Sequence, residues 1–83
     1  MRDDVAMQET LDTLGAAIRA ARKERGFTQE GFAAHAGIDR SYFGAIERGE
    51  FNITIGTFTT IAAGLRVPAW ALLKRGAAGE PDA

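Results

Sequence analysis

Arg40, Ser41, Gly44, Ala45 and Arg48 are separated by steps of three and four residues, so a helix through this stretch lines them along one face. Guanidinium, hydroxyl and methyl groups in that pattern perform no covalent chemistry, but they are groups that read nucleic acid. An arginine in a first helical turn grips guanine O6 and N7 through two bonds, and an alanine methyl meets a thymine methyl. Arg40 is the expected base reader, with Ser41 beside it. A glycine in mid-helix costs roughly 1 kcal/mol relative to alanine, so Gly44 needs a reason. The expected reason is that Gly44 and Ala45 let the helix sink into the major groove. Gln29 begins the preceding helix, beside backbone N–H groups with no intrahelical partner, a place suited to holding a phosphate and the neighbouring recognition side chain.

The remaining reactive groups do not assemble into a catalytic set. Glu47 has no second carboxylate, histidine or nucleophile in its pattern, and a structural ion pair is the expected use. His35 is the single histidine and there are no cysteines, which leaves too few ligands for a metal site and removes thiol chemistry and disulfides. No enzyme activity, cofactor or small-molecule ligand is expected. The net charge of −1 by itself is unsuited to a polyanion, but residues 1–13 carry −3, residues 14–76 carry +4 and residues 77–83 carry −2. The central part is basic, and position matters more than the total. Lys23 and Arg25 could serve phosphates or simply favour the negative end of a helix dipole.

The elements that must position these groups are helices. Leu11, Leu14, Ile18 and Ala21 recur at helical spacing and Gly26 stops the run, which predicts a first helix over about 12–25. Thr28 caps a second over about 29–36, ended by Gly37, with Ala33 at the helix crossing. Asp39 caps a third over about 40–48, whose inner face carries Phe43 and Ile46 behind a corner plugged by Ile38. Thr54 caps a fourth, and Pro68 suits the first turn of a fifth. Two helices joined by a tight turn at 29–48 form a helix-turn-helix. The expected domain is 13–75, between a polar acidic tail at 1–12 and a flexible tail at 76–83. The expected core is Leu14, Ile18, Phe27, Phe32, Ile38, Phe43, Ile46, Phe58, Ile61, Leu65 and Leu72.

With Leu14-Gly15, Ile18, Arg19 and Arg22, then Gly26-Phe27-Thr28-Gln29-Glu30, Ala33, Ala36-Gly37, Ile46-Glu47-Arg48-Gly49, Asn52, Thr54, Leu65 and Val67, the chain resembles the phage repressor and Cro type of helix-turn-helix, often called Xre-like. Asp39-Arg40-Ser41-Tyr42 followed by Ile46-Glu47-Arg48 most resembles the controller proteins of restriction-modification systems. The resemblance implies an all-α, five-helix, lambda repressor-like domain that regulates transcription, as repressor or activator. Residues matching its DNA-contacting positions are Gln29, Arg40, Ser41, Tyr42, Ala45, Arg48 and Asn52, and Arg22 and Glu47 match a structural ion pair. Two positions depart from the pattern: Gly31 leaves the Thr28 cap without a reciprocal acid, so the second helix is expected to fray, and Glu50 puts an acid where phosphates should pass.

Trp70 has two readings. It completes the core, or it anchors a dimer with Val67 and Leu73; the second is preferred because five short helices leave little core and one short helix-turn-helix reads few bases alone. A homodimer on a palindromic double-stranded DNA operator follows, with a contact to RNA polymerase if it activates. The rival class is an antitoxin-like module whose main partner is another protein. No apolar run approaches the roughly 20 residues of a membrane span, and the acidic start lacks the pattern of a signal peptide, so no membrane partner is expected and the cytoplasm is the expected location.

Overall fold

A computed structural model describes residues 2–77, which form α1 (Arg2–Glu24), α2 (Gln29–Ala36), α3 (Arg40–Glu47), α4 (Ile55–Leu65) and α5 (Ala69–Ala77). No strand occurs among the described residues. The boundaries follow from local chemistry. The Thr28 hydroxyl accepts from Gly31 N–H at 2.9 Å and Asp39 Oδ2 accepts from Tyr42 N–H at 3.0 Å, so each short helix of the pair has a cap. Between them Gly37 takes φ 72°, and the chain closes through Ile38 N–H to the Ala33 carbonyl at 2.9 Å. The Thr28 cap has no reciprocal acid, yet α2 runs over its whole expected length.

The stretch after Glu50 is rich in β-branched residues and still forms a helix. Thr54 Oγ1 accepts from Thr57 N–H at 3.1 Å, and the Thr59 and Thr60 hydroxyls bond back to the carbonyls of Ile55 and Gly56 at 2.8 and 3.1 Å. These bonds satisfy the hydroxyls, and burial of Phe58, Ile61, Ala62 and Leu65 along one face outweighs the strand preference of the β-branched residues. Pro68 stands one residue before α5 and its carbonyl accepts from Ala71 N–H at 2.9 Å, so it opens the turn that leads into the helix.

Two expectations about the ends change. The acidic tail expected at 1–12 is helical from Arg2, because the Leu11–Leu14–Ile18 stripe continues into a segment of good helix formers, Ala6 to Glu9, with Asp4 in the first turn. The flexible tail expected at 76–83 is corrected at its start, where Gly76 is buried and belongs to α5; residues 78–83 of that expectation lie outside the described residues.

Ile18, Phe32, Phe43, Ile61, Leu65 and Leu72 are the largest fully buried side chains and come from all five helices. Phe32 lies at the centre, its ring 5.3 Å from Phe27 and 5.0 Å from Phe43. Leu14, Phe27 and Ile38, expected in this core, are only partly buried and pack against its edge. Gly15 sets the distance between α1 and α3: a Cβ there would stand 2.6 Å from the backbone carbonyls of Ile46 and Glu47. The first helix therefore touches the backbone at the C-terminal end of α3, and fixes where that helix points.

Candidate nucleic-acid interface

The buried frame behind α3 is a three-member polar cluster. Glu47 accepts from Arg22 Nε at 2.7 Å and Nη2 at 3.1 Å, and from Gln29 Nε2 at 3.0 Å. Arg22 Nη1 donates to the Phe27 carbonyl at 2.8 Å. The side chains of Arg22 and Glu47 are 7% and 1% exposed, so the pair is desolvated and lasts only because its lone pairs and protons are matched. Among the described residues no buried side-chain nitrogen or oxygen lacks a partner. One cluster thus joins the end of α1, the loop into α2, the first residue of α2 and the last residue of α3.

Gln29 follows from this arrangement. Its amide nitrogen is committed to Glu47, and its oxygen lies 3.1 Å from where a Cβ on Gly44 would be. Arg48 Nη1 lies 3.3 Å from the same point. Gly44 is therefore covered in the unbound protein by two side-chain ends. Ala45 is also buried, at 4% exposure, and its carbonyl accepts Glu50 N–H at 2.9 Å as the chain folds back after α3. This corrects the expectation that both face outward. The exposed part of that face is Arg40, Ser41 and Arg48, while Gly44 and Ala45 form its floor.

Around the floor, Arg40 and Ser41 stand exposed in the first turn of α3, and Arg40 Nε is 3.5 Å from Glu30 Oε2. Tyr42 is half-buried, edge-on to Phe51 with ring centroids 5.4 Å apart. Asn52 is exposed in the loop before α4. Arg48 forms a two-pronged pair with Glu50, Nε to Oε2 at 2.8 Å and Nη2 to Oε1 at 3.2 Å. The hydrogen bond from Arg48 holds the Glu50 carboxyl below the ordinary value of 4.5, and the same bond raises Arg48.

The apolar candidates lie elsewhere. Trp70 is 64% exposed and Leu73 51%, so Trp70 does not complete the core; Val67 is half-buried against it. Leu73 and Gly76 border an open groove with Glu9, Thr10, Thr13 and Leu14 of α1. Among the described residues no group of three or more histidines, aspartates or glutamates could hold a metal, and no helix is long and apolar enough to cross a membrane.

Sequence reasoning passed over one support of this surface. Gln8 Nε2 donates to the Gly49 carbonyl at 2.9 Å and to Asp12 Oδ1 at 2.8 Å, so the early part of α1 braces the turn that ends α3. The signal was the i, i+4 spacing of Gln8 and Asp12 upstream of the apolar stripe, in a segment whose charge suggested a tail.

A capped α2, a tight glycine turn and an α3 that, with its cap residue Arg48, exposes two arginines and a serine from a buried frame define a helix-turn-helix domain. The helix-turn-helix family model matches residues 18–69, and the chain belongs to that family. It is similar to a Neisseria hypothetical transcription factor from Neisseria meningitidis serogroup B, 36% identical over 66 residues, covering 80% of this chain but only 62% of that protein. The control protein C.SmaI of Serratia marcescens is 31% identical over 72 residues, 87% of this chain and 86% of that one. Among solved structures, the restriction-modification controller protein C.Esp1396I, a tetramer in complex with its natural 35 base-pair operator, superimposes with a TM-score of 0.76 at 32% identity, over 83% of this chain and 91% of that one.

Proposed function

We propose that this chain is a sequence-specific regulator of transcription that binds a palindromic operator as a homodimer, with α3 in the major groove. The single observation that carries the reading is the exposed set Arg40, Ser41 and Arg48 on a helix whose other side is fixed by the buried Arg22–Glu47–Gln29 cluster. Recognition needs this division, because base edges are read to within a fraction of an ångström only by side chains on a rigid support. The similar controller protein bound to its operator supports the same use of the fold.

Arg40 and Ser41 take base edges near the start of α3. Arg48, Asn52 and the Tyr42 hydroxyl take backbone oxygens, and Gln29 orients α3 and faces the phosphate at the start of α2. The Gly44 and Ala45 floor admits the edge of a base pair where a longer side chain would hold the helix off. Exposed Trp70 and Leu73, with Val67, anchor the two-fold partner, and a two-fold pair of α3 helices matches a palindromic operator. The protein acts in the cytoplasm, and where it activates, it does so by touching RNA polymerase beside the operator.

Selection from a random duplex library, read by sequencing, tests the assignment. An enriched palindrome with half-sites about 10 base pairs apart, or a multiple of the helical turn, is the expected result. Absence of any enrichment would overturn it. In sedimentation at micromolar concentration, wild type runs as a dimer and Trp70→Ala as a monomer; a dimeric Trp70→Ala protein would remove Trp70 from the interface.

A further inference from the structure

Arg48 is exposed, yet its guanidinium is held in place within the protein. Its guanidinium lies back over Gly44, with Nη1 3.3 Å from the place of a Cβ, while Nε and Nη2 are taken by Glu50 at 2.8 and 3.2 Å. Two oxygens of one anion meeting two N–H groups of one guanidinium is also the geometry with which arginine holds a phosphate. We propose that Glu50 is an internal stand-in for a DNA phosphate: it holds Arg48 over the Gly44 floor until a duplex displaces it, and so sets the affinity and salt dependence of binding. The inference rests on the DNA-binding reading above.

Three observations support an exchangeable clasp over a structural one. Both side chains are more than half exposed, at 58% and 55%, so the pair is solvated and adds little to folding. The partners are two residues apart, so the clasp closes and opens without moving any helix. Arg40, the other arginine of the face, meets Glu30 through Nε at 3.5 Å, so among the described residues the two-pronged grip on this face is that of Arg48.

The consequence is a smaller net release of ions. A free guanidinium that meets a phosphate liberates the counterion condensed there, and log K falls with log salt by about 0.9 per phosphate neutralised. A guanidinium that leaves its own carboxylate to do so exposes an anion that recruits a cation. Glu50 therefore makes binding weaker at low salt and less sensitive to salt. It is a positioning residue, acting through Arg48.

The test is fluorescence anisotropy of labelled duplexes, one from the selection and one of random sequence, across a salt series with wild type, Glu50→Gln, Arg48→Gln and the double variant. Glu50→Gln is expected to bind both duplexes about two- to five-fold more tightly at moderate salt, the scale of an exposed ion pair. Its log–log slope should steepen by close to 0.9. In the Arg48→Gln background the same change should have less than about a twofold effect. Wild-type binding with an unchanged Glu50→Gln affinity and slope overturns the clasp and leaves the DNA reading intact. An equal gain in the Arg48→Gln background also overturns it, by showing that Glu50 repels DNA directly. If wild type binds neither duplex, both readings fall.

Discussion

Glu47 and Glu50 lie three residues apart at the end of the same helix, and each meets an arginine through two hydrogen bonds. Their surroundings make them opposites. Glu47 is 1% exposed on its side chain and joins residues far apart in the sequence, Arg22 and Gln29, whereas Glu50 is 55% exposed and reaches only its near neighbour. A buried pair cannot be exchanged for water or phosphate, so it fixes geometry; an exposed one can be, so it is available for a ligand to displace. One helix end thus holds both the frame of the surface and its exchangeable edge.

The contrast breaks most visibly on the buried side. Glu47→Ala leaves Arg22 charged and desolvated and should cost about 3–5 kcal/mol, a large share of the stability of a chain this size, read by urea unfolding. A loss under about 1 kcal/mol would mean that water reaches Arg22. Next in size is Gly15→Ala, whose Cβ would stand 2.6 Å from two backbone carbonyls of α3. About 1–3 kcal/mol is expected, with DNA affinity falling further than stability because α3 is pushed out of line.

On the open side, Gly44→Glu should abolish duplex binding and leave the helical circular dichroism spectrum intact, since the new Cβ meets side-chain ends and no backbone of another helix. Retained binding would remove the floor from the account. Arg66 marks the small end of the scale. It caps α4 at φ 61°, the only non-glycine residue with positive φ among those described, so Arg66→Gly should stabilise by about 0.5–1 kcal/mol without touching binding. Acid sharpens the comparison last. Glu50 has a carboxyl held below the ordinary 4.5, so its pairing contributes fully above that value and is lost as pH falls through the lower folded value. Wild type and Glu50→Gln should therefore have the same pH dependence of melting from neutrality to about pH 5 and diverge only below it.

The helices and the turn were legible because their signals are local: Thr28, Asp39 and Thr54 as caps, and Gly37 as the left-handed stop. The Arg22–Glu47 pair was legible only through the resemblance, since 25 residues separate its members. Gly44 was misread as open because helical spacing says which residues share a face, and not what neighbouring long side chains lay over it. Gln29 comes from another helix and Arg48 folds back, so the cover over Gly44 is tertiary. The early part of α1 was hidden for a related reason: its acidic composition suited a solvated tail, and its contact with Gly49 lies 41 residues away.

Arg40, presented from a fixed α3, is the proposed base reader. Affinities of wild type and Arg40→Ala for the selected duplex and for each of its single base-pair variants test it most directly. Wild type should lose about 1–3 kcal/mol at one symmetric pair of positions, and Arg40→Ala should bind all variants there equally while keeping its discrimination elsewhere. A mutant that weakens evenly across every variant, with the wild-type pattern of preference unchanged, would contradict it.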